Sequence, residues 1–165
     1  MRKLSSGFKF QEYDSVGELS AGDRSLLEAA VHNAGNAYAP YSRYRVGAAI
    51  QLDNGIVVTG TNQENMAYPS GLCAERVAIF AAMSQYPGAK VQTIAITARG
   101  EFPSDGNPAA PCGGCRQVML EYELNQKEPI RVLLYSAGGR VWEVNSIQDL
   151  VPLHFFEEGL RHDNP

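Results

Sequence analysis

Three cysteines carry most of the chemistry in this chain of 165 residues: Cys73, Cys112 and Cys115. The opening residues, MRKLSSGFKFQEYDS, lack the apolar run of a secretion signal, so an odd, small number of cysteines is not read as a disulfide framework. Two sit as Cys-x-x-Cys in Pro111-Cys112-Gly113-Gly114-Cys115, and the third opens Cys73-Ala74-Glu75-Arg76. Across Pro-Cys-Gly-Gly-Cys two sulfurs can turn toward one point, with the glycines expected to let the backbone approach closely. Three thiolates are one ligand short of a closed zinc site, and three protein ligands with a place for water is the catalytic arrangement. His32, His154 and His162 could in principle add a fourth ligand. None has ligand-like spacing, and each reads as a surface or partly packed side chain.

Charge sharpens the reading. Zinc with three thiolates sums to roughly −1, which acidifies bound water less well than a site of neutral imidazoles. Cys73 and the Cys112/Cys115 pair both fall at predicted helix starts, where unpaired backbone N–H groups and the helix dipole favour thiolate. Arg76 can offset further charge, because its guanidinium has five donors that could bond the sulfurs; the competing reading is a surface ion pair. Glu75, two residues after Cys73, does not share its face in the first helical turn. It can therefore reach past the metal without being a ligand, take a proton from water and pass it to a leaving group. The competing reading of Glu75 is an acid that complements a helix start.

The elements that must position these residues are legible from periodicity and turn residues. Gly7 to Asp14 alternates weakly, as a short edge strand or an arm. Ser20 is an N-cap with Asp23 three residues on, and Leu26, Leu27, Ala30, Val31 and Ala34 recur at helical spacing up to Gly35–Tyr38. Tyr44–Leu52 and Ile56–Thr61 are antiparallel strands about an Asp53-Asn54-Gly55 turn. Helices follow over Cys73–Ser84 and Cys112–Leu124, and strands over Val91–Ala98, Ile130–Tyr135 and Arg140–Val144. A short helical piece starts near Ser146. The expected fold is therefore α/β, a mixed five-stranded sheet between helices in three α/β/α layers. One domain spans 1–165, with residues 1–20 as an N-terminal extension and 156–165 as a tail.

Hydrophobic residues make up 44% and charged residues 19%, a composition that folds rather than stays disordered. With 14 Lys and Arg against 18 Asp and Glu, the net charge of −4 argues against a general polynucleotide binder and for a small partner. No stretch approaches the roughly 18 apolar residues of a spanning helix, so no membrane partner is expected and the cytoplasm is the expected location.

Cys73-Ala74-Glu75-Arg76 followed by Pro111-Cys112-Gly113-Gly114-Cys115-Arg116-Gln117 resembles the zinc-dependent nucleobase and nucleoside deaminases, whose signature is His or Cys-x-Glu, then Pro-Cys-x-x-Cys. Within them the chain is similar to the small homotetrameric cytidine deaminases. Pro40-Tyr41-Ser42-x-Tyr44-x-Val46-Gly47-Ala48-Ala49 resembles their first-strand motif, Asn62-x-Glu64-Asn65 their ribose-binding motif, and Leu150-Val151-Pro152-x-x-Phe155 their C-terminal segment. The resemblance runs from about Leu26 to Phe155. It implies one zinc on Cys73, Cys112 and Cys115, attack of zinc-activated water on C4 of cytidine or 2′-deoxycytidine, and Glu75 as proton shuttle. It further implies Asn62 and Glu64 on the sugar, Tyr44 and Phe155 stacking on the base, contributions from Tyr68 and the backbone of Ala74, and a homotetramer in which Phe155 reaches a neighbour's site. Tyr44 departs from the family's usual Phe, which adds a hydroxyl near the base. The N-terminal extension and the segment from Phe156 to Leu160 are also longer than usual. Deamination of another amino-heterocycle, such as a nucleoside antibiotic, is the alternative within this chemistry. From the residues alone two further readings stay open: a non-catalytic zinc module, and a Cys-x-x-Cys thiol oxidoreductase whose disulfide would leave Cys73 without a role.

Overall fold

A computed structural model describes residues 3, 7–100, 106–157 and 160. Elements run β1 (Gln11–Tyr13), α1 (Ala21–Asn33), β2 (Arg45–Leu52), β3 (Val57–Thr61), α2 (Ala74–Gln85), β4 (Val91–Arg99), α3 (Gly113–Gln126), β5 (Arg131–Ser136) and β6 (Val141–Val144), then a 3-10 turn over Ile147–Leu150. They form one sheet in the order β1-β6-β5-β4-β2-β3. Only β4 and β5 are parallel; the other neighbours are antiparallel. The sheet is thus mixed, as expected, but among the described residues it has six strands and not five.

The sixth strand is β1. Its three residues pair with β6 in the register Gln11↔Glu143, Glu12↔Trp142 and Tyr13↔Val141. So short a strand carries almost no periodic signal. Side chains hold it instead: the Tyr13 hydroxyl donates to Glu143 at 2.7 Å, and the Phe10 ring lies 5.3 Å from that of Trp142. Glu143 also accepts from Arg131 at 2.8 Å, and Arg131 donates on to Asp23 of α1 at 2.9 Å.

Alternation along the central strands divides the interior into two layers. Ala48, Ile50, Ile94, Ile96, Val132 and Leu134 face α2 and α3 and form the larger core with Ala78, Ile79, Met119 and Leu120. Ala49, Ala95 and Leu133 face the other way and pack with Leu26, Leu27 and Ala30 of α1. Small residues set the helix–sheet spacing on both sides. A Cβ at Gly47 would lie 2.1 Å from the Ala30 carbonyl oxygen, and one at Gly60 2.5 Å from the Ala78 nitrogen and 2.6 Å from the Ala74 oxygen. Gly60 therefore lets the first turns of α2, which follow Cys73, seat directly on β3. Ser20 caps α1 as expected, accepting from the Asp23 amide at 3.1 Å.

Replacing Gly60 by Ala should lift α2 off the sheet and cost about 1–3 kcal/mol, the usual penalty for overpacking. Urea unfolding reads that loss, and zinc content should fall with it, since the helix that moves starts beside Cys73.

Candidate metal centre and active site

The centre is assembled at the N-termini of α2 and α3. Cys73 is the N-cap of α2 and Cys112 the N-cap of α3; Cys115 lies in the first turn of α3 and is fully buried. Helical geometry brings an N-cap residue and the residue three positions on to one side. The Cys112 and Cys115 sulfurs accordingly lie 3.5 Å apart, and the Cys73 and Cys112 sulfurs 3.9 Å apart. The glycines between them are not needed for a tight approach: among the described residues, a Cβ at Gly113 or Gly114 would meet nothing within 4 Å. That expectation is corrected. The helix turn itself supplies the convergence.

Three sulfurs bound to one tetrahedral zinc at about 2.3 Å should lie roughly 3.8 Å from one another. The three here lie within 4.8 Å of one another. Among the described residues no fourth His, Cys, Asp or Glu joins them. His32 is exposed, the His154 ring lies against the Val151 carbonyl, and His162 is outside the described residues. Donor set and spacing fit one zinc ion per chain.

The electrostatics follow from crowding. Hydrogen bonding from the Cys115 thiol, reinforced by Arg76 and Cys112, brings Cys73 down to about 5, against the opposing effect of burial. Cys115 moves far upward, because its bond to Cys73 holds its proton and burial disfavours its thiolate. Arg76 donates from Nη2 to the Cys73 sulfur at 3.8 Å, so it sits against the thiolates as its charge suggested. Glu75 is buried, with 4% exposure, and among the described residues Oε2 has no hydrogen-bond partner. Burial pushes its carboxyl above the ordinary range, and the negative Cys73 adds to that. A buried, unpaired carboxylate oxygen is costly unless a ligand completes it.

Cys73, Glu75, Arg76 and Cys112 line a cavity of about 840 Å³ together with Tyr44, Asn62, Glu64 and Tyr68. The structure thus collects most of the residues singled out from sequence. Asn62 and Glu64 have structural work as well. The Asn62 amide accepts from Val46 N at 2.8 Å and donates to the Tyr44 carbonyl at 2.8 Å, clamping the end of β3 to the start of β2. Glu64 accepts from the Tyr41 amide at 2.9 Å, the Ser42 amide at 3.3 Å and the Ser42 hydroxyl. The Ser42 hydroxyl, helped by those amides, keeps the Glu64 carboxyl below the ordinary range. Ser42, which in sequence is only one residue of the Pro40–Ala49 motif, is thus the partner of Glu64, a pairing that no local pattern displays. Burial first, then the charge of Glu75, raises the Tyr44 hydroxyl, and both side chains line the cavity.

Two residues stand apart. Ala74 is fully buried and does not line the cavity. Phe155 is 72% exposed and borders a separate small hollow with Glu121 and Phe156, so within one chain it does not face Tyr44 across a base. Among the described residues no helix is long and apolar enough to cross a membrane.

Comparison with known proteins agrees with this geometry. Residues 20–127 match the family described as the cytidine and deoxycytidylate deaminase zinc-binding region. A cytidine deaminase of Halalkalibacterium halodurans is 37% identical over 136 residues, covering 82% of this chain and 95% of that protein. One from Mycobacterium tuberculosis is 42% identical over 105 residues, covering 62% and 74%. The crystal structure of cytidine deaminase from Burkholderia pseudomallei superposes with a TM-score of 0.70 at 39% identity, over 83% of this chain and all of that one. Sulfur cluster, buried acid and sequence match together make this chain a member of the cytidine and deoxycytidylate deaminase family.

Proposed function

We propose that this chain hydrolyses the 4-amino group of free cytidine and 2′-deoxycytidine, consuming one water and releasing ammonia and uridine or 2′-deoxyuridine. The observation that carries the reading is the unpaired, buried Oε2 of Glu75 beside the three-sulfur cluster, in a cavity with room for a nucleoside. Zinc, when bound by Cys73, Cys112 and Cys115, supplies Lewis-acid activation of the attacking water. Glu75 takes the two protons of that water in turn, passing the first to N3 and the second to the departing amine. Burial pushes its carboxyl above the ordinary range, the direction that suits a group which must both take and return a proton. Arg76 and the two helix N-termini offset the thiolate charge.

Asn62 and Glu64 bind the sugar hydroxyls with the hydrogen-bonding capacity that their backbone clamps leave over: one N–H of the amide and further carboxylate lone pairs. Tyr44 lies against the base, Tyr68 closes the cavity mouth, and the Ala74 backbone completes the base contacts. Phe155, exposed and outside its own chain's cavity, serves the site of a neighbouring subunit in a homotetramer. The net charge of −4 agrees with a free nucleoside rather than a polynucleotide. The catalytic unit is a single deaminase domain, with residues 1–20 as an extension and 156–165 as a tail.

Purified protein should hold about one zinc per chain by atomic absorption, and Cys112→Ser should hold less than a tenth of that. Glu75→Gln should keep its zinc and lose about 10²–10⁴-fold in ammonia release from cytidine; full turnover by this variant would overturn the assignment. Mixing Glu75→Gln subunits with Phe155→Ala subunits should restore part of the activity, because some sites then receive one intact Glu75 and a neighbour's intact Phe155. No gain on mixing would remove the shared site.

A further inference from the structure

Arg116 directly follows Cys115, yet the zinc chemistry assigns it no role. Its guanidinium donates from Nε to the Pro111 carbonyl at 2.8 Å and from Nη1 to the Leu150 carbonyl at 3.0 Å. The first acceptor belongs to the peptide that enters Cys112. The second ends the 3-10 turn Ile147–Leu150. That turn is itself pinned to the same helix two turns further along. Glu123, buried on α3, accepts from the Ser146 hydroxyl at 2.7 Å, the Ile147 amide at 2.8 Å and the Gln148 amide at 3.1 Å. Residues 116 and 123 lie seven apart, so they share one helix face. The turn is thus held at its start by Glu123 and at its end by Arg116.

We propose that Arg116 is a positioning residue: it splints the Pro111–Cys112 peptide to the anchored C-terminal turn and so fixes where the Cys112 sulfur stands. The proposal rests on the zinc reading above and adds the device that keeps the ligand set in place. Arg116 differs from Arg76, which touches a sulfur; the polar contacts of Arg116 are two carbonyl oxygens. Two donors in a rigid plane can bridge two carbonyls held in fixed places. The single ammonium of lysine, a point charge on a flexible stem, cannot reproduce that fork.

The test is Arg116→Lys, which keeps the charge one residue from Cys115 and removes the fork. Zinc release is followed with a chromophoric chelator well below the unfolding temperature, alongside kcat and KM for cytidine. Release should quicken roughly tenfold or more, in the range seen when groups supporting metal ligands are lost. The rate constant kcat should fall while KM stays within about twofold, since Arg116 does not line the cavity. Release within about twofold of wild type overturns the proposal and leaves a charge effect or a purely structural residue. If Arg116→Lys does not fold, Ser146→Ala carries the test, because it removes one of the three bonds that hold the start of the turn to Glu123 and leaves Arg116 and the cysteines untouched; its release should quicken about threefold, and an unchanged rate overturns the splint. Wild-type protein without zinc would defeat the zinc reading itself, an outcome distinct from equal release rates.

Discussion

Three sulfurs within 4.8 Å of one another, with the buried Glu75 carboxyl beside them, would repel one another if all were ionised, and the rest of the molecule is arranged around that constraint. Without compensation the thiols would hold their protons and the metal would find no ligands. The compensation is mostly backbone: two helices begin at the cluster, so their unpaired amides and dipoles face the negative charge. Arg76 adds a formal positive charge against Cys73.

Bringing two helix starts to one point requires that both helices lie on the same face of the sheet and close to it. Gly60 under α2 satisfies the second demand, and the parallel β4–α3–β5 unit satisfies the first by returning α3 beside α2. The opposite face needs no such convergence. There α1 packs on Ala49, Ala95 and Leu133 as ordinary core, its close approach allowed by Gly47. The asymmetry between the two layers is therefore functional: one covers the sheet, and the other carries the chemistry.

Residues whose types alone imply chemistry could be read without coordinates. Cys73, Cys112, Cys115 and Glu75 are scarce types at diagnostic spacing, and the long periodic elements left little doubt about three layers. What could not be read depends on tertiary partners. Asn62 and Glu64 look like a polar pair at a strand end, and nothing local says that Val46, Tyr44 and Ser42 occupy much of their capacity. Glu123 sits in an unremarkable helical stretch, although four donors converge on its carboxylate from Ile130, Ser146, Ile147 and Gln148. Gly113 and Gly114 misled in the other direction, since glycine suggests crowding and the helix turn has none there. The strand β1 lies inside the Gly7 to Asp14 stretch that reads as a short edge strand or an arm, but the expected five-stranded sheet does not include it, because three residues cannot display a period of two.

That short strand has a cost attached to its removal. With β1 in place, the outer backbone groups of β6 are paired; without it, β6 would present an open hydrogen-bonding edge of the kind that recruits strands from other molecules. Glu143 would also lose one of its two partners while remaining mostly shielded from water. Trimming the N-terminus to match shorter relatives is thus no neutral edit. It would exchange a sealed margin for an adhesive one, and self-association, rather than lost turnover, is the failure a shortened chain would show first.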